Sequence, residues 1–395
     1  GRLTRALVGA EIALSCALLI GSGLMVRSIV TLRRFRYPFA TERIFTARVG
    51  LFDSEYPDTA ARRGFFRELT GRLRAVPGAR SAALTTSLPL RAEGSSIGIA
   101  GQSYPTSRDY PSARTATISP GFFTTFGVTL LQGRDFSAAD AAGSEPVAIV
   151  NQAFAKKFFA GREALGQRFA ELTGRDSLGA WLTIVGVVPD LRMEGVGTER
   201  RDAWGYYVPL AQRDPRFVSI AVESVGGDPL VLTRSVREAV RSLNPNQPIY
   251  LVDSMAGVIQ QETWFYYVFG TLFIVFGGAA LFMATVGLYG VLSFSVSRRM
   301  KEMGIRMALG ASARDVIRLV LRQGGLQLAF GLGAGLLIAV LLTKVIGILM
   351  FEVAPRDPPV FLLMVLVITA VGLLASLVPA RRATGVEPVV ALRHE

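Results

Sequence analysis

Catalysis in water draws most often on a histidine, a reactive thiol, paired carboxylates or a phosphate-cradling loop. This 395-residue sequence withholds nearly all of them. Its one histidine is His394, next to the last residue, which excludes His–Ser and His–Cys pairs and His-containing metal clusters from the rest of the chain. The one cysteine, Cys16, sits inside the apolar run "IALSCALLIG". A lipidation site would end its apolar stretch there, so Cys16 reads as an ordinary membrane-helix residue, and no intrachain disulfide is available. None of Lys156, Lys157, Lys301 and Lys344 follows a glycine, so no Gly-Lys-Ser/Thr phosphate loop exists. The acidic residues are scattered and nominate no pair. The sequence therefore offers no catalytic residue, no metal ligand set and no bound cofactor, and any ATP that drives it must be bound by another chain.

The residues that do cluster at regular spacing are in "SRRMKEMGIRMALGASARDV", 297–316. Read as a helix over 297–309, Arg298, Glu302 and Arg306 recur at i, i+4 and i+8, so the acid bridges two arginines. Met300, Met303 and Met307 form a second stripe, widened by Ile305 and Leu309. Gly310 ends that helix, and Ser312 starts another with Asp315 three residues on, a capping-box spacing. Arg314, Arg318 and Arg322 carry the new helix into an apolar run. The bland reading is a positively charged anchor with no other duty, and the pattern alone does not decide whether the block does more.

Four apolar stretches flank this block: 7–26, 264–297, 324–351 and 358–379. The second runs 34 residues without a charge, roughly 50 Å of helix against a hydrocarbon core of about 30 Å, so part of it projects from a bilayer. Trp264, Tyr266 and Tyr267 suit an interface belt at one end and Tyr289 at the other. Gly331 and Gly335 form a GxxxG in the third stretch, a helix-packing spacing. Lys344 in the same stretch reaches for the nearer interface. Asp357 followed by Pro358 reads as a cap opening the fourth helix. Glu11 in the first stretch reads equally as a polar-pathway residue and as a border residue. The fold class expected is membrane α-helical, with four transmembrane helices and an extracytoplasmic α+β domain inserted between helices 1 and 2.

The net charge of +13 would raise nucleic acid as a partner, but its distribution argues for topology instead. Residues 298–322 hold seven basic and two acidic side chains, and the tail after Pro379 is basic. Positive-inside logic places both in the cytoplasm, and places 352–358 and the region from about 30 to 262 outside. Arg27, Arg33, Arg34 and Arg36 resist this: they follow the first helix on its outer side and, alone, would invert it.

Within the external region, "IFTARVGLF" (44–52) alternates as a half-buried strand and 58–78 has helical apolar spacing. A β–α–β order opens the region and another closes it, with strands at 217–224 and 248–253. The two units are expected to pair into one lobe, with an inner lobe of about 113–212 inserted. Asn151 ends one strand of that lobe and starts a helix, which favours an N-cap over a ligand contact. The aromatics of "AWGYYVPL" read as core.

The stretch "YGVLSFSVSRRMKEMGIRMALGASARDVIRLVLRQG", the closing "VPARRATGVEPVVALRHE" and the external "ISPGFFTTFGVTLLQGRDFSAAD" together resemble MacB/FtsX-type ABC-transporter permeases, over essentially the whole chain. The chain opens on Gly1, and it looks most similar to the second half of a duplicated permease. The resemblance implies helix 1 over 1–30, a periplasmic MacB-like core domain over 31–262, and an FtsX-like membrane domain over 263–395 with a cytoplasmic coupling loop at 298–322. It implies a bacterial inner-membrane protein of efflux, lipoprotein release or cell-wall-hydrolase control that does not itself catalyse. ATPase coupling would fall to Arg298, Glu302, Gly304, Arg306, Leu309, Gly310 and Ala311. The partners implied are a cytoplasmic ABC ATPase, a second permease half or copy, a periplasmic adaptor or outer-membrane channel, and membrane lipids, with no nucleic acid.

Overall fold

The computed structural model describes residues 2–174, 177–195, 203–298, 302, 312–346, 350–351, 353–354 and 356–384. They form two compact units, one of residues 1–35 with 264–395, the other of 36–263.

In the second unit, β1 (Ile44–Gly50), α2 (Thr59–Arg74) and β2 (Ala79–Thr85) make one β–α–β unit, and β10 (Phe217–Ser224), α5 (Thr233–Arg241) and β11 (Tyr250–Ser254) make another. Their strands lie in the order β11-β1-β10-β2, each pair antiparallel, which is the split β–α–β arrangement of a ferredoxin-like sheet. The period-2 pattern explains the core. Phe45, Ala47, Val49 and Leu51 meet Val218, Ile220 and Val222 on one face, under Phe65, Phe66, Leu69 and Leu73 of α2 and Val236 and Val240 of α5. Asp58 caps α2 by accepting from the Ala61 amide at 2.6 Å. Arg62, on α2, is buried and forks onto Asp214, at 2.7 Å through Nε and 2.5 Å through Nη2.

Six further strands close on themselves. β3 (Glu93–Ile99), β4 (Ser112–Ile118), β6 (Val147–Asn151), β7 (Arg168–Thr173), β8 (Ser177–Val188) and β9 (Gly205–Pro209) run β4-β3-β7-β8-β6-β9, and a parallel β9–β4 pairing completes the ring. β3 is part of it although it precedes residue 113. Two short elements attach to this lobe, α3 (Phe122–Thr125) and the edge piece β5 (Gln132–Gly133), the latter paired with β8. The ring's core is aromatic: Phe154, on α4 (Gln152–Phe158), and Phe169 pack on Tyr206. Asn151 is fully buried and caps α4 through the Phe154 amide at 2.9 Å. It also accepts from the Gly205 amide and donates to the Ala203 carbonyl, so one side chain fastens β6, α4 and the approach to β9.

The first unit holds α1 (Arg2–Arg34), α6 (Met255–Arg298) from residue 264 onward, α7 (Ala313–Ile346) and α8 (Pro358–Thr384). All four helices are long and apolar enough to cross a membrane. Their outward faces are strongly apolar, with Phe282, Phe330 and Leu341 among the exposed side chains, which is a surface made for lipid.

Candidate functional site

The basic block lies between α6 and α7, so its placement depends on how those helices end and begin. α6 ends at Arg298, whose guanidinium stands 4.6 Å from the Phe294 ring centroid, a cation–π contact that ties the last charge back onto its own helix. α7 begins after Ser312. Its backbone amide and hydroxyl both donate to Asp315, at 3.0 and 2.6 Å, so the capping spacing read from sequence is realised. Two turns in, Val316 and Val320 of α7 bury against Val296 of α6 and Ala380 of α8. The two ends of the block are thereby pinned to one apolar cluster. On the opposite side of α7, Arg314, Arg318 and Arg322 form an exposed stripe at helical spacing.

Of the residues the sequence nominates for coupling, Arg298 and Glu302 are described, and Glu302 is exposed. Gly304, Arg306, Leu309, Gly310 and Ala311 lie outside the described residues, as does most of the amphipathic helix expected over 297–309.

The helix packing is better defined. A Cβ on Gly331 would lie 2.5 Å from the Ile12 side chain, and one on Gly335 would lie 2.5 Å from Cys16 Cβ and 2.7 Å from the Ala13 carbonyl oxygen. The Gly-x-x-x-Gly face of α7 therefore sits directly on α1, with Cys16 fully buried beside it.

Sequence reasoning missed the polar seam on α1. Ser15 donates to the Ala280 carbonyl at 2.9 Å and Ser22 to the Phe273 carbonyl at 2.5 Å, both on α6. Such hydroxyl-to-carbonyl bonds hold apolar helices together where no water competes. The i, i+7 spacing of two serines in an apolar run is the signal that was there to be read. The Glu11 carboxylate lies against Gly287 of α6, where a side chain would collide with it. Asp357 holds the N-cap position read from sequence, its backbone carbonyl accepting from the Phe361 amide at 3.2 Å. Its carboxylate is taken by Arg27, 2.5 Å away.

A family model for the MacB-like periplasmic core domain matches residues 12–242, more than half of the chain. The chain belongs to that family. A second model, the FtsX-like permease C-terminal domain, matches residues 274–388 and so takes in the basic block and its flanking helices. The curated relatives include proteins named macrolide export ATP-binding/permease protein MacB. That of Chromobacterium violaceum is 25% identical over 282 residues, covering 70% of this chain and 43% of the relative. That of Mannheimia succiniciproducens is 23% identical over 300 residues, covering 73% and 44%. This MacB-like chain thus spans less than half the length of the curated relatives it matches. Among solved structures, the periplasmic region of MacB from Actinobacillus actinomycetemcomitans matches at 17% identity and a TM-score of 0.37, covering 55% of this chain and 92% of that one. The extracellular domain of the transporter YknZ matches at 17% and 0.34, covering 51% and 94%. The two family matches together describe a permease-type chain with a MacB-like periplasmic core domain.

Proposed function

We propose that this chain is a permease subunit of an ABC-type efflux or export system and that it transmits force from a separate cytoplasmic ATPase to an external domain. The observation that carries the reading is the continuity of α6. One unbroken 44-residue helix, about 66 Å long, begins immediately after β11 and ends at the basic block. That is twice the length a bilayer requires, and an uninterrupted helix moves as a rod. A push at Arg298 is then felt at Met255.

In this reading the block 298–322 faces the cytoplasm and docks the ATPase. Glu302, Gly304, Arg306, Leu309, Gly310 and Ala311 form the docking surface, flanked by Arg298 and held at both ends by the Val296–Val316–Val320–Ala380 cluster. Residues of about 31–262 form a periplasmic domain inserted between the first and second membrane helices of a bacterial inner-membrane protein. A second permease half or copy completes the membrane unit. The FtsX-like match over 274–388 and the MacB-like match over 12–242 support the assignment.

Co-purification of the detergent-solubilised chain with the cytosolic ATPases of its host tests it. One ATPase should be captured by the parent and lost by the Glu302→Lys, Arg306→Glu variant while membrane insertion is unchanged. Equal capture by both would remove the block as a docking site.

A further inference from the structure

The four-stranded β11-β1-β10-β2 sheet has a second face, which α2 and α5 do not cover. It forms the floor of a cleft of about 390 Å3, a volume suited to a small molecule. The alternation that sends Phe45, Ala47 and Val49 into the core sends Thr46 and Arg48 to this side. Ser219 lies directly across from Arg48 in the β1–β10 register, and Thr85 directly across from Ser219. Hydroxyls from Thr86 and Ser87, on the segment that follows β2, line one wall. Val258 and Gln261, on the first turns of α6, line the other.

The charges of the cleft are unequally satisfied. Arg91 is paired with Glu262 at 2.7 Å. Asp253 accepts from Gln261 at 2.9 Å and from the Ser254 amide at 2.7 Å. Glu93 is exposed at the rim, where water solvates it. Arg48 differs from all three. Its Nε is buried without a hydrogen-bond partner, and among the described residues it forms no ion pair. Its one described neighbour of note is the Phe217 ring, whose centroid lies 5.8 Å from the guanidinium carbon. A half-buried guanidinium left unpaired is costly unless something else supplies oxygens.

We infer that the cleft is a binding site for a small organic carboxylate bearing an apolar group, with Arg48 as the anion anchor. A carboxylate matches the planar guanidinium fork and would pair with the charge that Arg48 brings to the cleft, while the hydroxyls of Ser219 and Ser87 donate around it; the Thr46 hydroxyl is already committed to the Asp253 carbonyl at 3.1 Å. The apolar group has a shelf beside Arg48, next to the cleft and outside its lining. Phe217 is 40% exposed and packs edge-on against Phe52, itself 59% exposed, and Tyr250 stands opposite Arg48 in the β1–β11 register. A free peptide C-terminus with an apolar last residue has this chemistry. The inference does not depend on the ATPase-coupling role, although occupancy would bear on α6 through Val258 and Gln261.

The test uses the full chain in lipid nanodiscs, with empty nanodiscs as blank, and ligand-observed NMR with N-acetyl-phenylalanine, its amide, and inorganic phosphate. The acid should bind about tenfold more tightly than the amide, the loss expected when a charged hydrogen-bonding partner is removed. Arg48→Gln should bring the acid down to the amide's affinity, and Arg48→Lys should fall between. Phe217→Ala should weaken acid and amide alike, which separates the shelf from the anchor and guards against a general loss of fold. Phosphate should compete weakly, because it has nothing to place on the shelf. Equal binding of acid and amide by the parent, acid binding undiminished in Arg48→Gln, no acid binding by a folded parent, or competition by phosphate at the acid's own affinity would each overturn the proposal.

Discussion

Arg27 and Asp357 stand 2.5 Å apart, the carboxylate 8% exposed and the guanidinium 47% exposed. The next residue, Ser28, accepts the Phe351 amide at 2.8 Å. Two consecutive residues near the end of α1 thus hold both sides of the short segment between α7 and α8. Arg33, one helical turn and a half further, lies 5.5 Å from the Tyr267 ring centroid on α6. This accounts for two of the four arginines that contradict the orientation read from the other helices. Arg27 is cancelled locally by an acid and Arg33 is seated on an aromatic face. Both are fasteners of the bundle, so their weight as orientation signals is small.

Because the pair is half exposed, its net worth is modest, and a double-mutant cycle is the proper measure. Arg27→Gln and Asp357→Asn should each lower stability in detergent, with a coupling energy of about 1 kcal/mol. The swapped pair, Arg27→Asp with Asp357→Arg, should recover part of the loss. Additive single effects, read from unfolding midpoints, would show that the two residues act separately.

The glycines of α7 supply an internal control. A side chain on Gly335 meets Cys16 and Ala13 of α1, whereas nothing lies within 4 Å of a Cβ on Gly333. Gly335→Leu should therefore cost about 1 to 3 kcal/mol through forced separation of α1 and α7. Gly333→Leu should be near neutral or slightly stabilising, since it relieves a helix glycine. Thermal unfolding of the two variants side by side decides it, and equal effects would mean that the α1–α7 contact is not tight.

The parts of the fold governed by local rules were legible. The alternation of Phe45, Ala47, Val49 and Leu51, the spacing of Phe65, Phe66, Leu69 and Leu73, and the Asn151 cap each follow from periodicity or backbone chemistry within a few residues. The four apolar helices were legible for the same reason. What escaped depends on residues far apart in the chain. The parallel pairing of β4 with β9 closes the strand ring across some ninety positions and leaves no mark in either strand. The ion-pair partner of Asp357 lies 330 residues away, so its local context gave the cap position and not the pairing with Arg27. Arg48 looked like any strand arginine until Ser219, Gln261 and Thr86 were brought around it.

Asn151 carries more than its cap. Its side chain makes three hydrogen bonds, to the Phe154 and Gly205 amides and the Ala203 carbonyl, in full burial. Asn151→Ala should destabilise the ring lobe by roughly 2 to 4 kcal/mol, because two amides and a carbonyl are left unsatisfied in the core. Asn151→Asp keeps both acceptor roles but places a charge against the Ala203 carbonyl, so it should rescue little. Hydrogen exchange at the Gly205 amide reports the effect directly. Retained protection there in Asn151→Ala would show that another group had taken over.

The Arg62–Asp214 fork gives the second unit an acid-sensitive joint. The Arg62 hydrogen bonds, with help from Thr59, hold the Asp214 carboxyl down at about 2. In the unfolded chain the same group titrates near 3.9. A depressed native value means that the stabilisation is complete above the unfolded value and is lost as pH falls from about 4 towards 2. Arg62→Gln removes the cause of the depression, so Asp214 should titrate close to its ordinary range. The variant should then be less stable than the parent at neutral pH, and the gap should close progressively below pH 4, where the parent loses the same interaction. Unfolding midpoints of both chains between pH 2 and 7 measure this. Parallel curves across that range would show that the fork contributes packing alone and no charge-dependent stability.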